Sequence, residues 1–282
     1  MNKKSTAFAF LIAVLILLYG CGGSGQYKIE KGNYTDTTYK STGAVLKGTY
    51  KVRTAPDFTL QFSGGLNLGM AELSSNYQNI FDAQQFVNGE NFGVKTGFGF
   101  MLTGKVPLHA AGNIRLNITT AYNRFQSDMF TKTSPFGRVS YNVFAFGLGI
   151  ENSFSPSFKL KPFIAVEIQG NFISGKADII DEAANSTRNV KIKNSFRIGY
   201  MVYSGLEYML SNRVGINFGL KLTNANQILK QSSNDSDPNE ISLRDKKVDD
   251  PLEFAGFKNF TFTSFFIGFN IYFGVKDVLF KF

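Results

Sequence analysis

Positions 58–70 read Phe-Thr-Leu-Gln-Phe-Ser-Gly-Gly-Leu-Asn-Leu-Gly-Met. Phe58, Leu60, Phe62, Leu66, Leu68 and Met70 fall on one parity. Thr59, Gln61, Ser63, Gly65, Asn67 and Gly69 fall on the other. A strand sends successive side chains to opposite faces, so this is one strand lying between an apolar and a polar medium. The pattern recurs at about 92–104, 113–125, 141–151, 159–173, 196–209, 213–223 and 261–273. Eight such strands, apolar outside and polar inside, predict a closed antiparallel up-and-down transmembrane β-barrel.

The polar parity carries the charges. Lys95, Arg115, Glu151, Glu167, Arg197, Glu207, Arg213 and Lys221 are expected to point into the lumen. An eight-stranded barrel is just wide enough for side chains to fill it. A lone buried ion is costly, so these charges need partners, and Glu167 with Arg197 on the next strand is the expected pair. The expectation is a lumen plugged by a polar network. Phe266 is the exception on the polar face of the last strand.

The connections alternate in length. The links near 105–112, 152–158 and 210–212 are short, whereas 71–91, 126–140, 174–195 and 224–260 are long. Outer-membrane barrels have short periplasmic turns and long external loops. A periplasmic N-terminus puts every connection on its expected side, and an even strand count brings the C-terminus back to the periplasm. The third long link keeps a weak alternation and should extend as a hairpin past the membrane. The fourth is rich in charge and is expected to be solvated.

The start of the chain reads as a processing signal. Lys3 and Lys4 precede an unbroken apolar run at 7–18, of signal-core length and shorter than a comfortable helical span. Cys21 follows it and is the only cysteine, so an intramolecular disulfide is excluded. Leu18-Tyr19-Gly20-Cys21 resembles the lipobox of bacterial lipoproteins, with Tyr19 where a smaller residue is usual. The resemblance implies lipidation of Cys21, and Gly22 after it implies delivery to the outer membrane. The expected organisation is a signal peptide at 1–20, a lipid-anchored tether at 21–56 with a short strand near 46–52, and an outer-membrane β-barrel domain at 57–282.

From about 57 to 282 the strand pattern and loop alternation are similar to the small OmpA/OmpX-type outer-membrane barrels of the Gram-negative envelope. The segment Gly268-Phe-Asn-Ile271-Tyr-Phe273 resembles that family's assembly signal, except for Phe266 where a polar residue is expected. Val278, Phe280 and Phe282 could prolong the last strand and supply the signal instead. The resemblance implies the barrel-assembly machinery as a partner during biogenesis.

Composition narrows the partners. The chain has 30 Lys+Arg against 21 Asp+Glu, a net +9. A basic secreted barrel meets anionic lipid and lipopolysaccharide rather than nucleic acid. The 30 Phe and 12 Tyr suit a lipid-facing wall with aromatic girdles, which Tyr and Phe must form because Trp is absent.

Catalysis is not expected. Enzymes among small barrels use a His with Ser, Asp or Glu near the outer rim, and general-base work at neutral pH favours His. The one His, His109, falls in a short turn at the opposite end. Asp235-Ser-Asp237-Pro-Asn239 has the acidity of a calcium loop but lacks its glycine and distal glutamate, so no metal and no cofactor are expected. The leading expectation is a non-enzymatic barrel with an envelope-structural or surface-interaction role through its loops, the surface partner unidentified. The alternatives are a narrow or gated pore and a lipidated, ligand-holding calycin-like barrel. The last needs an apolar lumen, which this polar parity argues against.

Overall fold

A computed structural model describes residues 49–70, 73, 92–109, 111–130, 135–156, 158–181, 186–231, 239–243, 245–246 and 258–281. The leader, Cys21 and most of the tether lie outside them. In chain order the strands are β1 (Thr49–Arg53), β2 (Phe58–Met70), β3 (Thr96–Pro107), β4 (Ile114–Phe130), β5 (Pro135–Ser153), β6 (Leu160–Asp181), β7 (Ser186–Met209), β8 (Val214–Ile228), β9 (Glu240–Ile241), β10 (Thr261–Phe273) and β11 (Asp277–Lys281).

Eight of these close a barrel. β2 to β8 pair antiparallel in sequence order, β8 pairs with β10, and β10 returns to β2. Followed from partner to partner round the wall, Asn67 leads through Ser264, Lys221, Tyr203, Ala165, Glu151 and Arg115 to Pro107. Pro107 lies beyond Lys105, the partner of Thr59. One circuit therefore descends about ten residues along β2, and such a stagger tilts the strands of a closed barrel by roughly 35–45°.

The barrel is inside-out relative to a soluble protein. Leu66, Phe265 and Ile267 are 69%, 67% and 70% exposed, while Gln61, Asn117, Asn217 and Asn270 are fully buried. Fully wetting an aliphatic or aromatic side chain forgoes about 1.5–3 kcal/mol relative to burial, so a continuous belt of them makes hydrocarbon the stable surroundings. Phe62 stacks on Phe269 and Phe172 packs against Phe196 across neighbouring strands of this belt. Phe266 turns inward as its parity requires, filling the space above Gly219, where a Cβ would meet its ring at 2.7 Å.

Two ends can be distinguished. The turn end holds the short connections 108–113, 154–159 and 210–213 together with β1 and β11. The loop end holds longer extensions. The hairpin β6–β7 runs on to Asp181 and Ser186 past a bulge near Ile173. The stretch 126–140, expected as a loop, is mostly strand, because β4 and β5 stay paired up to Phe130 and Pro135.

The tail of the chain also differs from expectation. Gly274 adopts a φ of +77°, and Asp57 occupies the space a side chain there would need. This turn lifts β11 out of the wall, so it does not prolong β10. Instead β11 pairs with β1, and Arg53 meets Asp277 at 3.8 Å. Phe282 lies outside the described residues. Because β10 already completes the barrel at Phe273, a chain ending at Gly274 should still refold in detergent with heat-modifiable gel migration. Amides 49–53 should exchange faster once their partner strand is gone; loss of the heat shift would tie β11 to the barrel itself.

Candidate functional site, a filled polar lumen

At the turn end, inward positions of five strands converge. Lys105 (β3) lies 2.7 Å from Glu151 (β5), and Arg115 (β4) reaches Glu151 at 3.1 Å and Glu207 (β7) at 3.6 Å. Lys161 (β6) reaches Glu207 at 3.3 Å. All five side chains are buried. Three cations thus face two carboxylates. The surplus charge is spread onto aromatic faces, with the Lys105 ammonium 4.7 Å from the Phe163 ring and the Lys161 ammonium 4.7 Å from the Tyr272 ring.

Above this layer Glu167 Oε1 accepts hydrogen bonds from Thr119 Oγ1 and Tyr203 Oη, both at 2.9 Å. Asn117 donates to Tyr203 Oη at 2.6 Å, and the Thr103 and Thr119 hydroxyls lie 3.0 Å apart. The carboxylate needs two glycines on β5. A Cβ on Gly147 would meet Glu167 Oε2 at 2.5 Å, and one on Gly149 would collide with its side chain. Lys221 is buried on the next strands round, opposite Tyr203 and Ser264 in register. A second polar chain runs from Ser264 to Asn67 to Asn123 at 2.6 and 3.0 Å.

Toward the loop end the interior turns apolar. Phe92, Phe125, Tyr141, Phe260 and Phe262 pack edge-on among Val139, Val143, Ile173 and Leu243. The described residues of the fourth connection fold into this mouth. β9 pairs in parallel with β7 at Lys191 and Ile192, and Asp245 is wholly buried. Asp245 accepts from Arg197 Nε at 2.8 Å and Nη2 at 3.1 Å, from Asn226 at 3.0 Å and from the Gln231 amide at 3.0 Å. A forked guanidinium on a carboxylate is the strong form of ion pair.

These contacts revise several expectations. Arg197 does not pair with Glu167. Register sets Asn171 opposite Arg197 and Met201 opposite Glu167, four residues away, or about 13 Å at strand rise. The described part of the fourth connection is packed inside rather than solvated. Arg213 has the inward parity but precedes β8 in the turn and is exposed. Lys95 precedes β3 and stands half-buried at the mouth, its amide donating to Ser127 Oγ at 3.0 Å. Gly93, at φ +73°, breaks the parity there, so Phe92 and Val94 pack inside instead of facing lipid. Arg115, Glu151, Glu167, Arg197, Glu207 and Lys221 are buried within the barrel. Lys105 and Lys161 join them: Lys161 carried the inward parity, and Lys105 sits just beyond the predicted end of its strand.

No family model matches the chain, and no curated protein matches its sequence. Among solved structures the barrel is similar to Neisserial surface protein A, at 12% identity over 78% of this chain and 99% of that one, with a TM-score of 0.43. It is also similar to Ail, the attachment invasion locus protein of Yersinia pestis (6% identity, 79% and 98% covered, TM-score 0.33), and to the outer membrane protease OmpT from Escherichia coli (10%, 85% and 99%, 0.33). Likeness at this level bears on fold alone, and one fold hosts many functions.

Removing one member of a buried ion cluster leaves its partners uncompensated. Glu151→Gln, which strips Lys105 and Arg115 of their shared carboxylate, should lower stability by about 3–5 kcal/mol in urea unfolding of the detergent-held protein. Asp245→Ala, which strands the buried Arg197 guanidinium, should lower stability likewise and also speed tryptic cleavage at Lys246, while the barrel keeps its heat-modifiable band.

Proposed function

We propose that the chain is a non-enzymatic outer-membrane barrel, its turn end periplasmic and its loop end external, that serves envelope structure or surface interaction through its loops. The observation that carries this reading is the dryness of the lumen. Lys105, Glu151, Lys161, Glu207 and Asn217, which a passage would have to wet, are fully buried. Glu151 and Glu207 are engaged by cations and Glu167 by hydroxyls, and none is open to a substrate. His109 is exposed at the turn end. The outward apolar belt speaks against a soluble ligand-holding barrel.

In this reading Cys21 carries a lipid that anchors the tether on the periplasmic side. The partners are outer-membrane lipid with lipopolysaccharide, the barrel-assembly machinery during biogenesis, and a surface partner met by the loops. Purified protein in planar bilayers should conduct no steady current, and steady open-channel conductance would make it a pore. Cys21→Ala should abolish lipid labelling yet still need detergent for extraction; release without detergent would overturn the membrane-spanning reading.

A further inference from the structure

The ion cluster sits close to the end of the barrel and is nevertheless dry. Lys105, Glu151 and Glu207 lie two residues inside the ends of β3, β5 and β7, and Arg115 and Lys161 are the second residues of β4 and β6. Two residues of strand span about 7 Å. A charge that near an open end would be wetted, yet Lys105, Glu151, Lys161 and Glu207 are fully buried. So is Ser153, the last residue of β5. Something covers this end.

β1, β11 and the strap 54–57 that joins β1 to β2 supply the cover. The Thr54 amide donates to the Lys276 carbonyl at 2.9 Å, and the Lys276 amide donates back to Thr54 Oγ1 at 2.9 Å. The Asp57 amide donates to the Phe273 carbonyl, also at 2.9 Å. The strap is thereby sewn to the chain between β10 and β11. This unit reaches all three short turns. Ala55 occupies the space that a side chain at Gly112, in the turn from β3 to β4, would need. Pro156, in the turn from β5 to β6, has its Cβ 3.6 Å from the same point. Asn212, in the turn from β7 to β8, donates to Asp277 Oδ2 at 3.1 Å. Pro56, next to Ala55 in the strap, is buried.

The cover is held more weakly than the wall. The wall is a closed ladder, whereas among the described residues β1 and β11 pair only with each other, and a two-stranded sheet is marginal by itself. Elements held by so few contacts open locally at much lower cost than the whole fold. We propose that β1, β11 and the strap form a lid on the turn end of the lumen, that this lid keeps the ion cluster dry, and that it opens without opening the wall. With the lid open, water and small solutes reach Lys105 and Lys161 and stop at the apolar core of Phe163, Tyr203 and Phe266. The lid is thus a closure separate from the filling of the bore.

The test is acetylation of lysines by a water-soluble ester in the full chain held in detergent, read site by site by peptide mass spectrometry. In the wild type the exposed Lys159 and Lys276 should label fast, and the buried Lys105, Lys161 and Lys221 slowly. In a chain ending at Gly274, which lacks β11, Lys105 and Lys161 should label about tenfold faster as the open population rises, with Lys159 as the reference. Asp277→Ala keeps the chain whole but removes the contacts to Asn212 and Arg53, and it should speed the same two lysines by a smaller factor. Lys221, deeper in the bore, should stay slow throughout. Unchanged labelling of Lys105 and Lys161 in both variants would overturn the lid. Lys221 becoming reactive together with them would overturn it too, because the wall itself would then have opened.

Discussion

In hydrocarbon a backbone amide has no water to turn to, and leaving one unpaired costs several kcal/mol. The pairing of β10 with β2 is therefore the contact on which the rest depends, because it removes the two free edges that eight sequential strands would otherwise expose. Its thirteen-residue register sets Gly268 against Ser63 and Phe269 against Phe62. A Cβ on Gly268 would collide with the carbonyl of Phe62, so the seam closes only with glycine on one side. Once it is closed, parity does the remaining work. Every second residue must satisfy lipid, and every other one must share a bore that side chains can fill.

That bore dictates the interior. Charges cannot be diluted by water there, and most are met in place. The turn end does this with carboxylates bridging cations and with rings taking the surplus, while the loop end does it with one forked pair, Arg197 on Asp245. Between the paired charges lie Phe163, Met201, Tyr203 and Phe266, packed as a small apolar core. The lumen thus resembles a protein interior with its polar fraction raised, and it encloses polar side chains such as Gln61 and Asn171 completely.

The wall was readable from sequence because lipid imposes period two without exception along a membrane-spanning stretch. Positions 144, 146, 148 and 150 on β5 are exposed as their parity demands, and 145 and 151 are buried. Legibility ended where the two media stopped differing. Past the belt toward the loop end both faces accept apolar groups, so Phe92, Val94 and Val139 gave no sign of which way they turn. Arg213 kept its parity but lost its burial, because a side chain one residue short of the strand is no longer enclosed. Asp245 lies in a stretch without periodicity. Its place against Arg197 follows from β9 docking on β7, a contact between distant segments that no local pattern encodes.

A filled lumen moves the capacity for recognition to the outside. The interior network is spent on holding the wall: its carboxylates are engaged by cations and hydroxyls. What remains free to meet other molecules is the belt, the rim above it and the loops. The rim is not neutral: Arg124, Lys176 and Lys191 are exposed where the belt gives way to the loop end, and Glu240 offsets only Lys191, at 3.1 Å. Surface cations in water contribute little to stability, so their presence beyond the belt at the loop end is better explained by what surrounds that end than by the fold. In a bilayer that end meets the headgroup layer and the water beyond it. The same even strand count that keeps β1 and β11 at one end of the barrel leaves these cations at the other.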